Sequence, residues 1–166
     1  MLEINRPLAV LFSEILEDTA FAELQKDKEW YPGTLVKKFF VKLEKKGRPI
    51  LRKQAGQAFG RLLLQELQNC YEWKDIRTAV ACFPKAYSHF IRGDGAGVWI
   101  SDELSEGFSR IRENTPFDCF FTEGMLGGLL GGLGARGAIV KHPTCRKDAE
   151  TGKFCQYELI WMKSVL

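Results

Sequence analysis

The chain has 166 residues, of which 45% are apolar and 27% charged, and its formal net charge is +3. This length and composition are typical of one globular domain, residues 1–166, and exclude a chain of two domains of ordinary size. The mild positive charge is spread along the sequence without a recognisable nucleic-acid-binding motif, so we expect no nucleic-acid partner.

Two segments are candidates for membrane insertion, and neither fits. The N-terminal sequence MLEINRPLAVLF has Glu3 where a signal peptide carries positive charge, and its apolar stretch is short. The glycine-rich segment between Cys119 and Cys145 is interrupted by Glu123 and Arg136, which leaves fewer than about 18 continuous apolar residues. We therefore expect a cytoplasmic protein with reduced cysteines, and the odd total of five cysteines argues weakly against a complete disulfide framework.

The first half of the chain has the apolar spacing of helices. Aliphatic side chains recur every three or four residues in each of four stretches, and Pro84 is expected to end the last one. The predicted helices cover residues 7–26, 35–43, 54–67 and 74–83.

The period changes after residue 88, where aromatic and β-branched residues become frequent. Strands are predicted within 89–100, which a glycine turn at 93–97 interrupts, and at 107–112, 137–142 and 154–162, with a helix at 119–133. This order predicts an α+β fold, in which N-terminal helices pack on a twisted antiparallel sheet and a glycine-rich helix precedes the last two strands.

Three cysteines and a histidine in the second half of the chain form a possible metal site. Cys119 opens the glycine-rich helix, His142 and Cys145 are three residues apart, and Cys155 begins the next strand. Thiolates and imidazole together suit zinc better than magnesium or calcium. The spacing is not that of the short zinc-finger patterns, so ordinary core cysteines remain an alternative.

Glycines repeat every fourth residue along the same helix. Gly124, Gly128 and Gly132 form a stripe without side chains, and each glycine costs a helix about 0.8–1 kcal/mol relative to alanine. Gly56 and Gly60 have the same spacing in an earlier predicted helix and allow another element to approach closely. The stripe predicts close approach either by a helix or subunit or by a flat ligand, and the glycines alone do not distinguish these.

The C-terminal half resembles the 4-vinyl-reductase domain family. The resemblance lies in three runs, FDCFFTEGMLGGLL from residue 117, VKHPTC from residue 140 and GKFCQYELIW from residue 152. It covers about residues 90 to 162. The family is related in fold to the ligand-sensing domains of phenol-responsive bacterial activators and to small subunits of a vesicle-tethering complex.

The resemblance implies a zinc site. The ligands of the phenol-sensing relatives fall on the same four residues, with His142 in place of the usual acidic residue. The loop between the last two cysteines is slightly longer than in those relatives, which lets Asp148 or Glu150 approach the ion.

The resemblance also implies a homodimer with a pocket for an apolar or aromatic small molecule, and the family's association with tetrapyrrole metabolism makes a bilin or chlorophyll precursor the expected ligand. Arginines at the pocket mouth are expected to pair with its propionates. The candidate ligand-binding residues are His89, Arg92, Trp99, Gly124, Met125, Gly128, Leu129 and Arg136.

Three functions follow as hypotheses. The first is a zinc-stabilised binding domain that acts as a carrier, chaperone or sensor of a tetrapyrrole. The second is an enzyme that reduces a vinyl group on a chlorophyll precursor, although the sequence contains no recognisable site for a hydride donor. The third is a dimeric interaction scaffold without a ligand. We favour the first, and with it a protein that is not an enzyme.

Overall fold

The computed structural model describes residues 1–16, 29–45, 49–70, 72–73, 75–148 and 152–162, and these ranges contain five helices and seven strands. The helices are α1 (Arg6–Leu16), α2 (Thr34–Lys45), α3 (Pro49–Cys70), α4 (Ile76–Phe90) and α5 (Cys119–Gly132). The strands are β1 (Glu3–Asn5), β2 (Trp30–Pro32), β3 (Ile91–Arg92), β4 (Trp99–Ser105), β5 (Phe108–Glu113), β6 (Arg136–Thr144) and β7 (Cys155–Met162).

The α+β class that the sequence predicts is confirmed, but the strands form two antiparallel sheets instead of one. The larger sheet has the order β4-β5-β7-β6, and the smaller has the order β2-β1-β3. The strands of the small sheet are two or three residues long, which is too short to show an alternating pattern in the sequence. The predicted helix 7–26 is α1 as far as Leu16, and the rest of that range lies outside the described residues.

Helix α4 continues through Pro84, so the prediction that this proline ends the helix is wrong. Proline in a helix interior costs about 3 kcal/mol, because it removes one backbone hydrogen bond and crowds the preceding turn. The residues after Pro84 offset that cost by packing, since Ala86, Tyr87 and Phe90 are buried on the same face as Phe83. None of the described helices combines the length and apolarity needed to cross a membrane.

Helices α3 and α5 pack against each other through their glycines. A Cβ atom at Gly124 would overlap the backbone carbonyl oxygen of Lys53, and one at Gly128 would overlap that of Gln57. Gly56 and Gly60 approach the backbone of α5 equally closely. The two backbones are therefore in direct contact, and α3 occupies the space beside the glycine stripe.

The core lies between this helix pair and the inner face of the larger sheet. Tyr157, Leu159 and Trp161 of β7 are buried on that face, as the alternation in the sequence predicts. Among the helices, Phe12, Phe39, Phe59 and Phe121 are fully buried and in ring-to-ring contact. This packing fixes the start of α5 relative to the sheet.

Candidate metal centre and adjoining cavity

Cys119 is held by the first turn of α5. Asp118 caps this helix, because its carboxylate accepts hydrogen bonds from the backbone N–H groups of Phe120 and Phe121. The Arg52 guanidinium of α3 pairs with the same carboxylate at 3.0 Å. Cap and ion pair together fix the position of the first thiol.

The other three residues lie on the hairpin of β6 and β7. His142 is near the end of β6, Cys145 directly follows it, and Cys155 is the first residue of β7. Antiparallel pairing of the two strands brings their adjoining ends together beside the start of α5. Four residues that are up to 36 positions apart in the chain thus meet at one place.

The four side chains converge closely enough to bind a single ion. The Sγ atom of Cys119 lies 3.4 Å from that of Cys155 and 3.7 Å from that of Cys145. One ligand atom from each residue, with His142 included, lies within 4.8 Å of the others. Thiolates about 2.3 Å from a tetrahedral ion lie about 3.8 Å from one another, so this spacing fits one four-coordinate ion.

The ring of His142 stacks on a tyrosine and has one nitrogen without a partner among the described residues. Its ring stacks on Tyr157 with a centroid distance of 4.5 Å and an interplanar angle of 11°. Nε2 is buried and has no hydrogen-bond partner among the described residues. Burial lowers the pKa of His142, against the opposing effects of the Glu123 carboxylate and a hydrogen bond with the Thr144 backbone. Neutral imidazole with an unpaired ring nitrogen is the form that binds a metal ion.

Burial disfavours the thiolate form of two of these cysteines. Burial raises the pKa of Cys119 and of Cys155, and the neighbouring sulfurs raise that of Cys119 further. The backbone N–H of Arg146 donates to the Cys155 sulfur at 3.5 Å and opposes the shift there. A cation at the centre of the cluster would stabilise the thiolates that the protein interior disfavours.

Arg146 joins the hairpin to the segment that leads into α5. Its guanidinium donates to the backbone carbonyl oxygens of Thr115 at 2.6 Å and Phe117 at 2.8 Å. It also pairs at 3.4 Å with the fully buried carboxylate of Glu113, which accepts two hydrogen bonds from Thr115 as well. One side chain therefore holds the loop after Cys145 against the residues that precede the first cysteine.

Replacing Arg146 with methionine is expected to lower the free energy of unfolding by about 2–3 kcal/mol, because it leaves two carbonyls and the buried Glu113 without their cationic partner. Urea denaturation measures the change. The neighbouring Lys147 is largely exposed, so Lys147→Met serves as the control and is expected to change stability by less than about 0.5 kcal/mol. Equal effects of the two variants would contradict the role given to Arg146.

Most of the ligand-binding residues predicted from the sequence lie apart from one another. Trp99, Met125 and Leu129 are buried in the core, and the stripe residues Gly124 and Gly128 face α3. The other three are exposed: His89 at the end of α4, Arg92 in an ion pair with Glu3 and over the Trp30 ring, and Arg136 at the start of β6. The structure therefore brings the predicted metal ligands together, but of the predicted ligand-binding residues only Trp99 and Leu129 line one cavity.

Of the two acidic residues expected near the ion, Asp148 lies in the exposed turn after Cys145. Its backbone N–H donates to the Cys145 carbonyl oxygen at 3.0 Å, and its carboxylate is not among the converging ligand atoms. Glu150 lies outside the described residues.

A small apolar cavity adjoins α5. It has a volume of about 30 Å³, and its walls include Leu67, Phe83, Trp99, Leu129 and Leu130. A second void of about 10 Å³ shares Leu67 and Phe83 with the first, so these two side chains border both voids. Leu67, Phe83 and Leu130 could not be recognised from the sequence, because apolar periodicity identifies buried residues without showing which of them border a void.

Comparisons with known proteins identify the fold. No protein-family model and no curated protein matches the chain. Solved structures of H-NOX (heme-nitric oxide/oxygen binding) domains do match. An H-NOX protein from S. oneidensis in the Fe(II)NO ligation state has a TM-score of 0.65 at 14% identity over 92% of this chain and 98% of its own.

Two further matches are similar in extent. A structure from work on heme distortion in the H-NOX family has a TM-score of 0.64 at 9% identity, covering 95% of this chain and 88% of its own. The IWP-051-bound H-NOX from Shewanella woodyi in the Fe(II)CO state has a TM-score of 0.56 at 17% identity. That match covers 96% of this chain and 93% of its own. The chain shares the fold of these small-molecule-binding domains.

These matches correct two expectations. The resemblance to the 4-vinyl-reductase domain is wrong, because the structural neighbours are H-NOX domains and no family model supports that assignment. The reductase hypothesis rested on that family and has no other support. The expectation of zinc with a bilin or chlorophyll precursor is also wrong, because the structures that match are of proteins with heme and Fe(II).

The described residues of this chain do not fit heme. The two buried voids hold about 30 and 10 Å³, whereas pockets for ligands of drug size or larger start near 300 Å³. A groove of about 560 Å³ lies open between α2 and the segment before α5, but neither described histidine lines it or the voids. His89 is exposed, and His142 faces the cysteines. The fold is shared, but in the described part of the chain no histidine lies beside a heme-sized cavity.

Proposed function

We propose that the protein is a small-molecule-binding domain of the sensor type, in which Cys119, His142, Cys145 and Cys155 hold one thiolate-preferring transition-metal ion. One observation carries the proposal: three sulfurs and a ring nitrogen of His142 lie within 4.8 Å of each other, and Nε2 of that ring has no hydrogen-bond partner among the described residues. Soft thiolate ligands favour d-block ions over magnesium or calcium.

The ion has a structural role in this proposal. Four protein ligands leave no open position for water or substrate on a tetrahedral ion. The ion instead ties the start of α5 to the hairpin of β6 and β7. Leu126, Leu129 and Leu130 of the same helix form one wall of the apolar cavity, so metal binding orders that wall.

The ligand of the cavity is a small, mostly apolar molecule. The cavity lining is almost entirely hydrocarbon, and about 30 Å³ accommodates only a few heavy atoms. The indole N–H of Trp99 is buried without a hydrogen-bond partner among the described residues. A ligand with one acceptor atom would satisfy that donor. Anything larger has to displace Phe83 or Leu67 and join the two voids.

Xenon tests the cavity, because it enters dry apolar voids without needing polar groups. The wild-type protein is expected to bind xenon beside Trp99, and Val80→Ile is expected to abolish binding, since Val80 lines the void and the extra methylene fills it. The same methylene is expected to stabilise the fold by about 0.8 kcal/mol. ¹²⁹Xe NMR and thermal denaturation measure the two effects.

Val41→Ile is the matched control, because this valine is exposed on α2 and lies outside the void. It is expected to leave xenon binding unchanged. A wild-type protein that excludes xenon, or a Val80→Ile protein that still binds it, would contradict a ligand cavity at this place.

A second candidate function is a dimeric interaction scaffold without a ligand. The observation that favours it is the direct backbone contact of α3 and α5, which leaves no room for a flat ligand on the glycine stripe. Under this alternative the cluster binds its ion in the same way, and the voids are ordinary packing defects. The xenon experiment separates the two candidates.

A further inference from the structure

The larger sheet has one face that the described helices leave uncovered. Helices α4 and α5 pack on the inner face, where Ser109, Ile111 and Tyr157 are buried. The other face, called the outer face below, consists of three rows of paired residues. In the order β4-β5-β7-β6 they are Ile100-Arg112-Gln156-Thr144, Glu103-Arg110-Glu158-Lys141 and Ser105-Phe108-Ile160-Ile139.

The middle row, called the charged row, alternates in sign across all four strands. Glu103, Arg110, Glu158 and Lys141 give the pattern minus, plus, minus, plus. Arg110 pairs with Glu103 at 3.0 Å and with Glu158 at 3.3 Å. These side chains remain partly exposed, so their charges are available to a partner.

The neighbouring row, called the apolar row, carries three large hydrophobic side chains. Ile139 is 51% exposed, and Phe108 and Ile160 are half-buried. A partner surface that carries an apolar row beside a charged row can therefore make hydrophobic contacts with the first row and ion pairs with the second.

We infer that the outer face pairs with the outer face of a second copy of this chain, about a two-fold axis parallel to the strands. Such an axis reverses the order of residues within each row while each row still faces itself. Reversal of the charged row places Glu103 opposite the partner's Lys141 and Arg110 opposite the partner's Glu158. The apolar row meets the partner's apolar row, with Phe108 opposite the partner's Ile160.

Charge complementarity selects this arrangement among the face-to-face alternatives. The alternative is a two-fold axis in the same plane but perpendicular to the strands. It leaves the order of residues within the charged row unchanged, so each charged residue faces the same residue of the second copy and is repelled by it. Two stacked sheets with nearly aligned strands about 10 Å apart are a common packing of antiparallel sheets. The paired copies therefore form a sandwich of eight strands.

The size of the outer face predicts a weak dimer. Four strands about 4.8 Å apart and about seven residues long cover roughly 19 by 23 Å, or about 900 Å² for both copies. Stable interfaces bury at least about 1,200 Å², and smaller ones are transient. Dimers are therefore expected only at high micromolar protein concentration.

Sedimentation equilibrium on the full chain, from about 10 to 1,000 µM, tests the inference. The wild type is expected to associate reversibly to a dimer and no further. Lys141→Glu places like charges opposite Glu103 at two symmetric positions and is expected to weaken the dimer about tenfold. Adding Glu103→Lys restores opposite charges at both positions and is expected to recover most of the affinity.

Lys85→Glu is the control, because this lysine is exposed on α4 away from the outer face. It changes the net charge as Lys141→Glu does and is expected to leave dimerisation unchanged. A monomer throughout the concentration range overturns the inference, as does a dimer that the Lys141→Glu variant leaves intact. Metal content measured on the same samples shows separately whether the proposed metal site has failed.

Discussion

Cys155→Ser is expected to release the metal ion and to lower the free energy of unfolding by at least about 4 kcal/mol. The serine hydroxyl keeps its proton at neutral pH and does not replace a thiolate ligand. The change also removes the cross-link between β7 and the start of α5, where the sulfurs of Cys119 and Cys155 lie 3.4 Å apart. Elemental analysis and urea denaturation of the purified variant measure the two effects.

The control for this variant is Cys82→Ser. Cys82 is half-buried on α4 and does not belong to the converging set, so the same chemical change is expected to cost about 1 kcal/mol and to leave metal content unchanged. A Cys155→Ser protein with a full complement of metal and near-normal stability would show that the cluster is four ordinary core side chains.

Gly128→Ala is the second variant with a large expected effect, a destabilisation of about 3 kcal/mol or more. The added methyl group overlaps the backbone carbonyl oxygen of Gln57, which cannot move unless α3 and α5 separate. Separation also loosens the contacts of Gly56 and Gly60 with the same helix. Denaturation with urea, followed by circular dichroism, gives the change in stability.

Gly131→Ala in the same helix is expected to have the opposite sign. Gly131 is exposed and has open space where a Cβ would lie, so alanine is expected to stabilise the helix by about 0.8–1 kcal/mol. The two alanine variants thus differ by about 4 kcal/mol although they lie three residues apart. Stabilisation by both would mean that α3 does not contact the glycine stripe.

The convergence of the four candidate metal ligands is the part of the site that the sequence predicts best. Cys145 and Cys155 flank a short loop between two strands, so antiparallel pairing has to bring them close together. Cys119 at the first turn of a helix and His142 three residues before Cys145 follow from the same local patterns. Spacing and residue type are sufficient to predict this convergence, because each of the four residues lies at or near the end of a helix or strand.

The sequence could not identify what covers the glycine stripe. Gly124 and Gly128 indicate that another element approaches their helix closely, and Gly56 and Gly60 indicate the same for an earlier helix. Their spacing alone does not show that these two helices pack against each other. Most of the cavity lining was beyond prediction for a related reason, although Trp99 and Leu129 were expected to bind a ligand. Phe83 and Leu67 have the same apolar pattern whether they fill the core or border a void.

The family assignment failed because it rested on a local pattern. Three cysteines, a histidine and several glycines constrain the chemistry of one site, whereas the fold depends on how all the elements pack. The match to H-NOX structures extends over more than nine-tenths of the chain, whereas the resemblance covered only about residues 90 to 162. A helix through Pro84 and a small sheet of three short strands were likewise visible only in the folded chain.

X-ray absorption at the metal edge of the purified protein tests the central claim most directly, because it reports the atoms bound to the ion. We predict one metal ion per chain with three sulfur neighbours at about 2.3 Å and one nitrogen neighbour at about 2.0 Å. Iron in a porphyrin, an ion surrounded only by oxygen and nitrogen, or protein without metal would contradict the proposed centre.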